Sequence, residues 1–183
     1  MSADPLRVDW VPTALWPGRL GLTFAPGKQG PSVYQPGVTH ARDLQADMQT
    51  LMFEGAHVIA PLIEPFEYGI LGIERYDEVA GASGLSVAAY PIPDGRAPVD
   101  SAGFGAYLEG LLEHLLNGQV VVVHCRGGLG RAGLVAACLL VQMGLDPDAS
   151  IRLVRHTRSP HAIETAEQEA FVQHFAGQLS GQV

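Results

Sequence analysis

The sequence predicts an α/β fold: a single domain with a central, mainly parallel sheet flanked by helices. Three observations carry this. Apolar runs of strand character alternate with segments of helical periodicity, which is the pattern of βα units. Val120 to Val123 form a run that is apolar on both faces, as a strand buried in a parallel sheet requires. The 183 residues, 47% of them apolar, suffice for one core and exclude a disordered chain. One domain over 1–183 is therefore expected, with residues 1–37 as Pro/Gly-rich strands and loops.

The elements follow in order. Pro5, Pro12, Pro17, Pro26, Pro31 and Pro36 punctuate the N-terminal stretch, and Val8–Val11 and Leu20–Thr23 read as short strands between turns. Leu44, Met48, Leu51 and Met52 recur at helical spacing, so a helix covers 44–53 and stops at Gly55. Val58–Ile63 reads as a buried strand that Pro61 ends or moves to an edge. Residues 66–81 read as helix broken by loops, and Leu85–Ile92 as another strand. Phe104, Tyr107, Leu108, Leu111, Leu112, Leu115 and Leu116 mark one face of a helix that Asn117-Gly118 stops. A strand over 119–124, a Gly-rich loop and a helix over 131–143 come next. Asp146-Pro147 opens a helix through His156. Ser159-Pro160 breaks the chain, and a last helix is expected over 163–179.

Charge and composition exclude several functions. Nineteen acids against eleven bases give −8, a poor balance for nucleic-acid or anionic-membrane partners. The longest apolar stretch, Leu134–Leu145, contains Gln142 and falls short of the roughly 20 residues that span a bilayer. No signal peptide is read, so a soluble, cytoplasmic protein is expected. Cys125 and Cys138 cannot build a disulfide framework, and the seven histidines show no metal-binding spacing. The charge is uneven. Residues 1–95 hold five bases and eleven acids, whereas 96–158 hold six bases and five acids.

The chemistry concentrates in residues 120–133. Cys125 ends a buried strand and Arg131 starts a helix, with five residues between them. Three of those five, Gly127, Gly128 and Gly130, let a tight loop turn its N–H groups inward as an anion nest. The helix start adds positive partial charge. Arg126, Gly127, Gly128, Leu129, Gly130 and Arg131 are the expected phosphate-binding residues. This setting favours the thiolate of Cys125, a strong nucleophile. Arg131 offers a planar fork that can grip two phosphate oxygens. Phosphoryl transfer through a cysteinyl-phosphate follows, with no metal or other cofactor needed.

The run His124-Cys125-Arg126-Gly127-Gly128-Leu129-Gly130-Arg131 resembles the Cys-x5-Arg loop of the protein tyrosine and dual-specificity phosphatases. Further segments are similar to the cyclin-dependent-kinase-associated phosphatase family: Leu20 to Gly27, Tyr90 to Gly95, Leu134 to Leu140, and Ala162-Ile163-Glu164-Thr165 with Gln168 and Phe171. The resemblance spans roughly residues 8–175. It implies the cysteine-dependent phosphatase fold and hydrolysis of phosphotyrosine, with phosphoserine and phosphothreonine as further substrates. It carries over no kinase partner. One departure stands out. The family has Ser or Thr directly after the Arg, where its hydroxyl helps sulfur leave, and this chain has Ala132. Slow breakdown of the phosphoenzyme is the expectation.

A general acid must protonate the leaving oxygen. Asp94, in the loop Pro93-Asp94-Gly95-Arg96, is the candidate that the resemblance points to, with Asp100 the runner-up and a turn-forming Asp the plain alternative. His124 reads as an orienter of the loop or as a satisfied histidine closing a strand. Gln168 resembles a glutamine that positions the hydrolytic water; a surface polar residue is the alternative. Arg152, Arg155 and Arg158 read as a solvated helix face rather than a cleft wall. Cys138 reads as core. The substrate is a phosphoprotein or a small phosphorylated molecule such as a phosphoinositide or nucleotide. A phospho-binding module with little turnover is the competing class, because of Ala132. A −8 surface favours phosphosites in basic surroundings. A monomer satisfies all of these readings, the oligomeric state being beyond the sequence.

Overall fold

Thr23, Pro61 and His124 lie side by side at the ends of three parallel strands, and the loops that leave them build the site. The computed structural model describes residues 4–181. Its elements are β1 (Asp9–Trp10), β2 (Arg19–Thr23), β3 (Gln29–Pro31), β4 (Thr39–Ala41), α1 (Leu44–Phe53), β5 (Val58–Pro61), α2 (Pro65–Ile70), α3 (Tyr76–Ala82), β6 (Ser86–Val87), α4 (Ser101–Leu116), β7 (Val120–His124), α5 (Gly130–Gln142), α6 (Pro147–Thr157) and α7 (Ala166–Ser180). The main sheet runs β1-β2-β7-β5-β6 and is parallel except for the β1–β2 pair. The valine run is its central strand and is buried throughout.

Helix α5 packs on β2 and β7 and is wrapped by α4, α6 and α7. Residues Gly130 to Val141 are all buried, so this helix is enclosed around its whole circumference and, after Arg131, is apolar on every side. The α1 boundaries match the periodicity, and Asp43 caps its start by accepting from the Ala46 amide. Pro61 does end β5.

Two expectations need correction, and one element is additional. The strand expected over 85–92 is regular only at Ser86–Val87. The amides of Ala88, Tyr90 and Ile92 still donate to the carbonyls of Ile59, Pro61 and Leu62. The amides on the β5 side all donate, but Pro61 of β5 has no N–H to return to the Ala88 carbonyl, so the regular two-way ladder stops there. The last helix starts at Ala166 rather than 163. Ile163 has a φ of 60°, and Thr165 and Gln168 form a capping box that sets the start. A β3–β4 hairpin, paired Gln29 to Ala41, was not foreseen, because its residues are polar or exposed and show no alternation.

Candidate active site

The loop after β7 has its carbonyls pulled outward. The Cys125 carbonyl accepts from His124 Nδ1 at 2.9 Å, and the Arg126 carbonyl from the Ala25 amide. The carbonyls of Gly127 and Gly128 accept from Arg158 at 3.0 and 3.1 Å. The Leu129 carbonyl accepts from the amides of Gly133 and Ile163. Among the described residues, no amide from Arg126 to Arg131 donates to another group. A peptide plane whose oxygen points out turns its neighbouring N–H groups in, which makes the anion nest expected from the glycines. Gly128 makes the turn possible. Its φ is 73°, and a Cβ there would collide with the Thr23 carbonyl.

Arg131 is buried at the helix start. Nη1 donates to Glu67 Oε2 at 2.6 Å and to the Ile92 carbonyl at 2.9 Å, while Nη2 donates to Glu67 Oε1 at 2.9 Å. Nη2 also lies 3.3 Å from Asp94 Oδ1. Burial opposes the charge of Arg131. The Glu67 bond and the nearby charges of Cys125, Glu67 and Asp94 outweigh it and hold the guanidinium above its ordinary range. Glu67 moves the other way. Burial raises it, but the Arg131 bond wins and its carboxyl stays below its usual value. The Nε of Arg131 is buried and without a partner in the described structure. One donor of the fork thus remains available for an anion in the nest.

Asp94 sits 59% exposed in a turn closed by the Arg96 amide bonding the Pro93 carbonyl. The turn is fastened rather than loose. Thr165 Oγ1 donates to the Gly95 carbonyl, Gln168 Nε2 to the Arg96 carbonyl, and Arg96 pairs with Glu167. Gln168 is therefore a buried brace and not a surface residue. Its Oε1 accepts from the amides of Glu164 and Thr165. Asp100 caps α4 through the Gly103 amide, which accounts for it structurally.

His124 is fully buried, and burial lowers its pKa to about 4. A carbonyl can only accept, so Nδ1 carries the proton and Nε2 accepts from the Tyr76 hydroxyl, 2.6 Å away. The neutral tautomer is thereby fixed, and so is the peptide after β7. Arg155 and Arg158 correct the reading of a solvated helix face. Arg158 grips the loop and pairs with Asp9, and Arg155 donates to the carbonyls of Ala162 and Ile163. Arg152 alone of the three fits that reading, being exposed.

Sequence reasoning missed Glu67, Tyr76 and Tyr34, and the loop-gripping role of Arg158. Glu64-Pro65 with Glu67 three residues on is a helix-start pattern that could have marked Glu67. Nothing local announces its partner Arg131. Tyr34, between β3 and β4, packs over Gly127 and donates to Glu164 Oε1 at 2.8 Å.

The model of the family described as Swiss Army Knife protein, DSP-PTPase phosphatase domain matches residues 77–172, more than half of the chain. The chain belongs to this phosphatase family. Cyclin-dependent kinase inhibitor 3 of Homo sapiens is 30% identical over 180 residues, covering 96% of this phosphatase and 81% of the relative. Protein tyrosine phosphatase type IVA 3 of Bos taurus is 31% identical over 104 residues, covering 50% and 57%. A solved structure of kinase associated phosphatase, with its catalytic-site cysteine substituted by serine, superposes with a TM-score of 0.86 at 27% identity and covers both chains fully. This phosphatase is thus a cysteine-based phosphomonoester hydrolase with the α/β fold of its relatives. No helix among its described residues is long and apolar enough to cross a membrane.

Proposed function

We propose that Cys125 is the nucleophile, that Arg131 and the amides of 126–131 hold the transferred phosphoryl group, and that Asp94 is the general acid. The observation that carries this is the loop itself: carbonyls bonded outward, amides free, and the Nε of Arg131 without a partner. In the first step the Cys125 thiolate attacks phosphorus. The P–S bond forms, the ester P–O bond breaks, and Asp94 gives its proton to the leaving oxygen. In the second step water attacks phosphorus, the Asp94 carboxylate takes a proton from it, and the P–S bond breaks to restore the thiolate. Arg131 and the amides stabilise the charge that spreads over the equatorial oxygens.

The substrates we propose are phosphotyrosine, phosphoserine and phosphothreonine in proteins. The names of the human and bovine relatives support a protein substrate. A cytoplasmic setting accords with the two free cysteines, since oxidising compartments favour disulfides. The test is turnover of p-nitrophenyl phosphate and a phosphotyrosine peptide by wild type and Cys125→Ser, with EDTA present. Turnover that persists in EDTA and vanishes in the variant is expected. Equal turnover in both proteins would remove Cys125 from the reaction.

A further inference from the structure

Lys28 is the single lysine of the chain, and neither capping nor packing of the loop uses it. It leaves β2 at the same sheet end as Cys125 and is only 8% exposed. Its ammonium rests 4.3 Å from the centroid of the Phe24 ring, and no hydrogen bond or ion pair reaches it among the described residues. Its cationic neighbours differ in this respect. Arg42 pairs with Asp47, and Arg158 pairs with Asp9 and the loop carbonyls. Arg126, next to Cys125, is likewise without a partner. Lys28 and Arg126 line one recess, together with Ser32, Tyr34 and His40. Tyr34 is common to this recess and to the nest, because its ring also covers Gly127.

A buried cation without a counter-charge is costly, and an anion placed beside it is favoured accordingly. Burial first, then repulsion from Arg158 and Arg42, draws Lys28 down to about 8, while the charge of Cys125 pulls it back. His40 adds no opposing positive charge at neutral pH. Burial, Lys28 and Arg42 all hold it below its ordinary value.

We propose that Lys28 and Arg126 form a second phosphate subsite beside the Cys125 loop, so that the preferred substrate is a peptide carrying two nearby phosphates. This rests on the phosphatase reading above and names its substrate class. One phosphate enters the nest, and the other meets Lys28 and Arg126. The recess holds about 10 Å³, room for a single water, so the second phosphate sits at its mouth with Lys28 at the floor. A phosphate carries −1.5 to −2 at neutral pH, which makes it a better counter-charge here than one carboxylate. No Asp or Glu lines the recess itself, where Lys28 and Arg126 stand with His40 among uncharged residues. The overall −8 therefore does not oppose a second anion on the Lys28 side.

The test compares kcat/KM for a phosphotyrosine peptide with that for the same peptide carrying a second phosphate one to three residues to either side. Wild type should favour one of the doubly phosphorylated peptides by about tenfold, the effect of roughly one good charge contact. Lys28→Met should bring that ratio to about two, and Lys28→Arg should keep it. The ratio cancels any effect of Lys28 on Cys125 itself, and a melting curve shows that each variant is folded. A ratio near one in wild type, or an undiminished ratio in folded Lys28→Met, overturns the subsite. Turnover of p-nitrophenyl phosphate by the same preparations separates the two readings. If it persists while the ratio is flat, only the subsite fails. If wild type lacks it, both fail.

Discussion

Replacing Glu67 by Gln removes the charge behind Arg131 and keeps the shape. In the wild type, both carboxylate oxygens bond the guanidinium at 2.6 and 2.9 Å, and Oε2 also accepts from the Glu64 amide. Both partners are almost fully buried, at 1% and 2% exposure. Breaking a buried pair by removing one partner costs about 3–5 kcal/mol, because the remaining charge is left uncompensated. Gln keeps one acceptor but turns N–H donors toward other donors, so the loss should fall near the lower end, roughly 3 kcal/mol. That is a large part of a stability of about 5–15 kcal/mol. It corresponds to a fall in Tm of roughly 6–12 °C for a chain of this size. Activity should fall further than stability explains. Arg131 would keep the Ile92 carbonyl, Asp94 and at most one Gln oxygen, and its unpartnered Nε would lose its fixed direction. A drop in kcat/KM for p-nitrophenyl phosphate of about 100-fold is expected, comparable to losing one oriented donor to a transition-state oxyanion. Urea unfolding and steady-state kinetics on the same preparation would measure both. A variant that melts within 2 °C of wild type (a shift below about 1 kcal/mol) and turns over at the same rate would refute the view that Glu67 holds the fork.

Three further outcomes are expected. Asp94→Asn should slow alkyl phosphates by about 100-fold or more and p-nitrophenyl phosphate much less, since a good leaving group needs no proton; equal small losses on both would move the acid to Asp100. Ala132→Ser should speed breakdown of the phosphoenzyme, so wild type should show a burst of p-nitrophenol that the variant lacks; rapid-mixing kinetics with no burst in either protein would count against it. Stability should fall on mild acidification. The folded His124 titrates at about 4 against 6.5 unfolded, so between those values the unfolded chain binds the extra proton and unfolding is favoured as pH drops. From pH 7 to pH 5 the loss is roughly 2 kcal/mol. Glu67, lowered by Arg131, adds to the loss further down the scale. Urea midpoints at the two pH values would test this, and equal midpoints would contradict the neutral buried imidazole.

The parts of the site that lie within one segment were legible. Cys125, Arg131 and the glycines belong to one strand–loop–helix unit, and their spacing encodes the nest directly. Strong periodicity gives α1 its observed bounds and α4 its end at Asn117, whereas the start of α4 at Ser101 lies ahead of its first apolar marker, Phe104. What the sequence hid lies between segments. Glu67 and Arg131 are 64 residues apart, Tyr76 and His124 are 48, and Arg158 reaches across 149 to Asp9. No local propensity reports such pairings. Gln168 shows the same limit. Its place at the third position of a helix is a capping signature, but its bond to the Arg96 carbonyl, which secures the acid's turn, exists only in the folded chain. The Leu85–Ile92 error has a different origin. The apolar pattern does follow β5 as far as Ile92, but Pro61 on the facing strand has no N–H to complete the ladder.

The uneven charge acquires a physical meaning from these pairings. Acids of the first half of the chain are counter-ions for arginines: Glu67 for Arg131, Asp9 for Arg158 and Asp47 for Arg42. Each pair fixes an arginine in a direction, so the charge of the site is oriented rather than simply abundant. Glu67 takes Nη1 and Nη2 of the Arg131 fork and leaves Nε without a partner in the described structure. Asp9 holds Arg158 where its other donors pull two loop carbonyls outward. Adding lysines to raise the net charge would supply no such direction, because an ammonium on a free stem has no fixed fork. The cations without a counter-ion among the described residues at this end of the sheet, Lys28 and Arg126, are then the ones still able to attract an anion from outside.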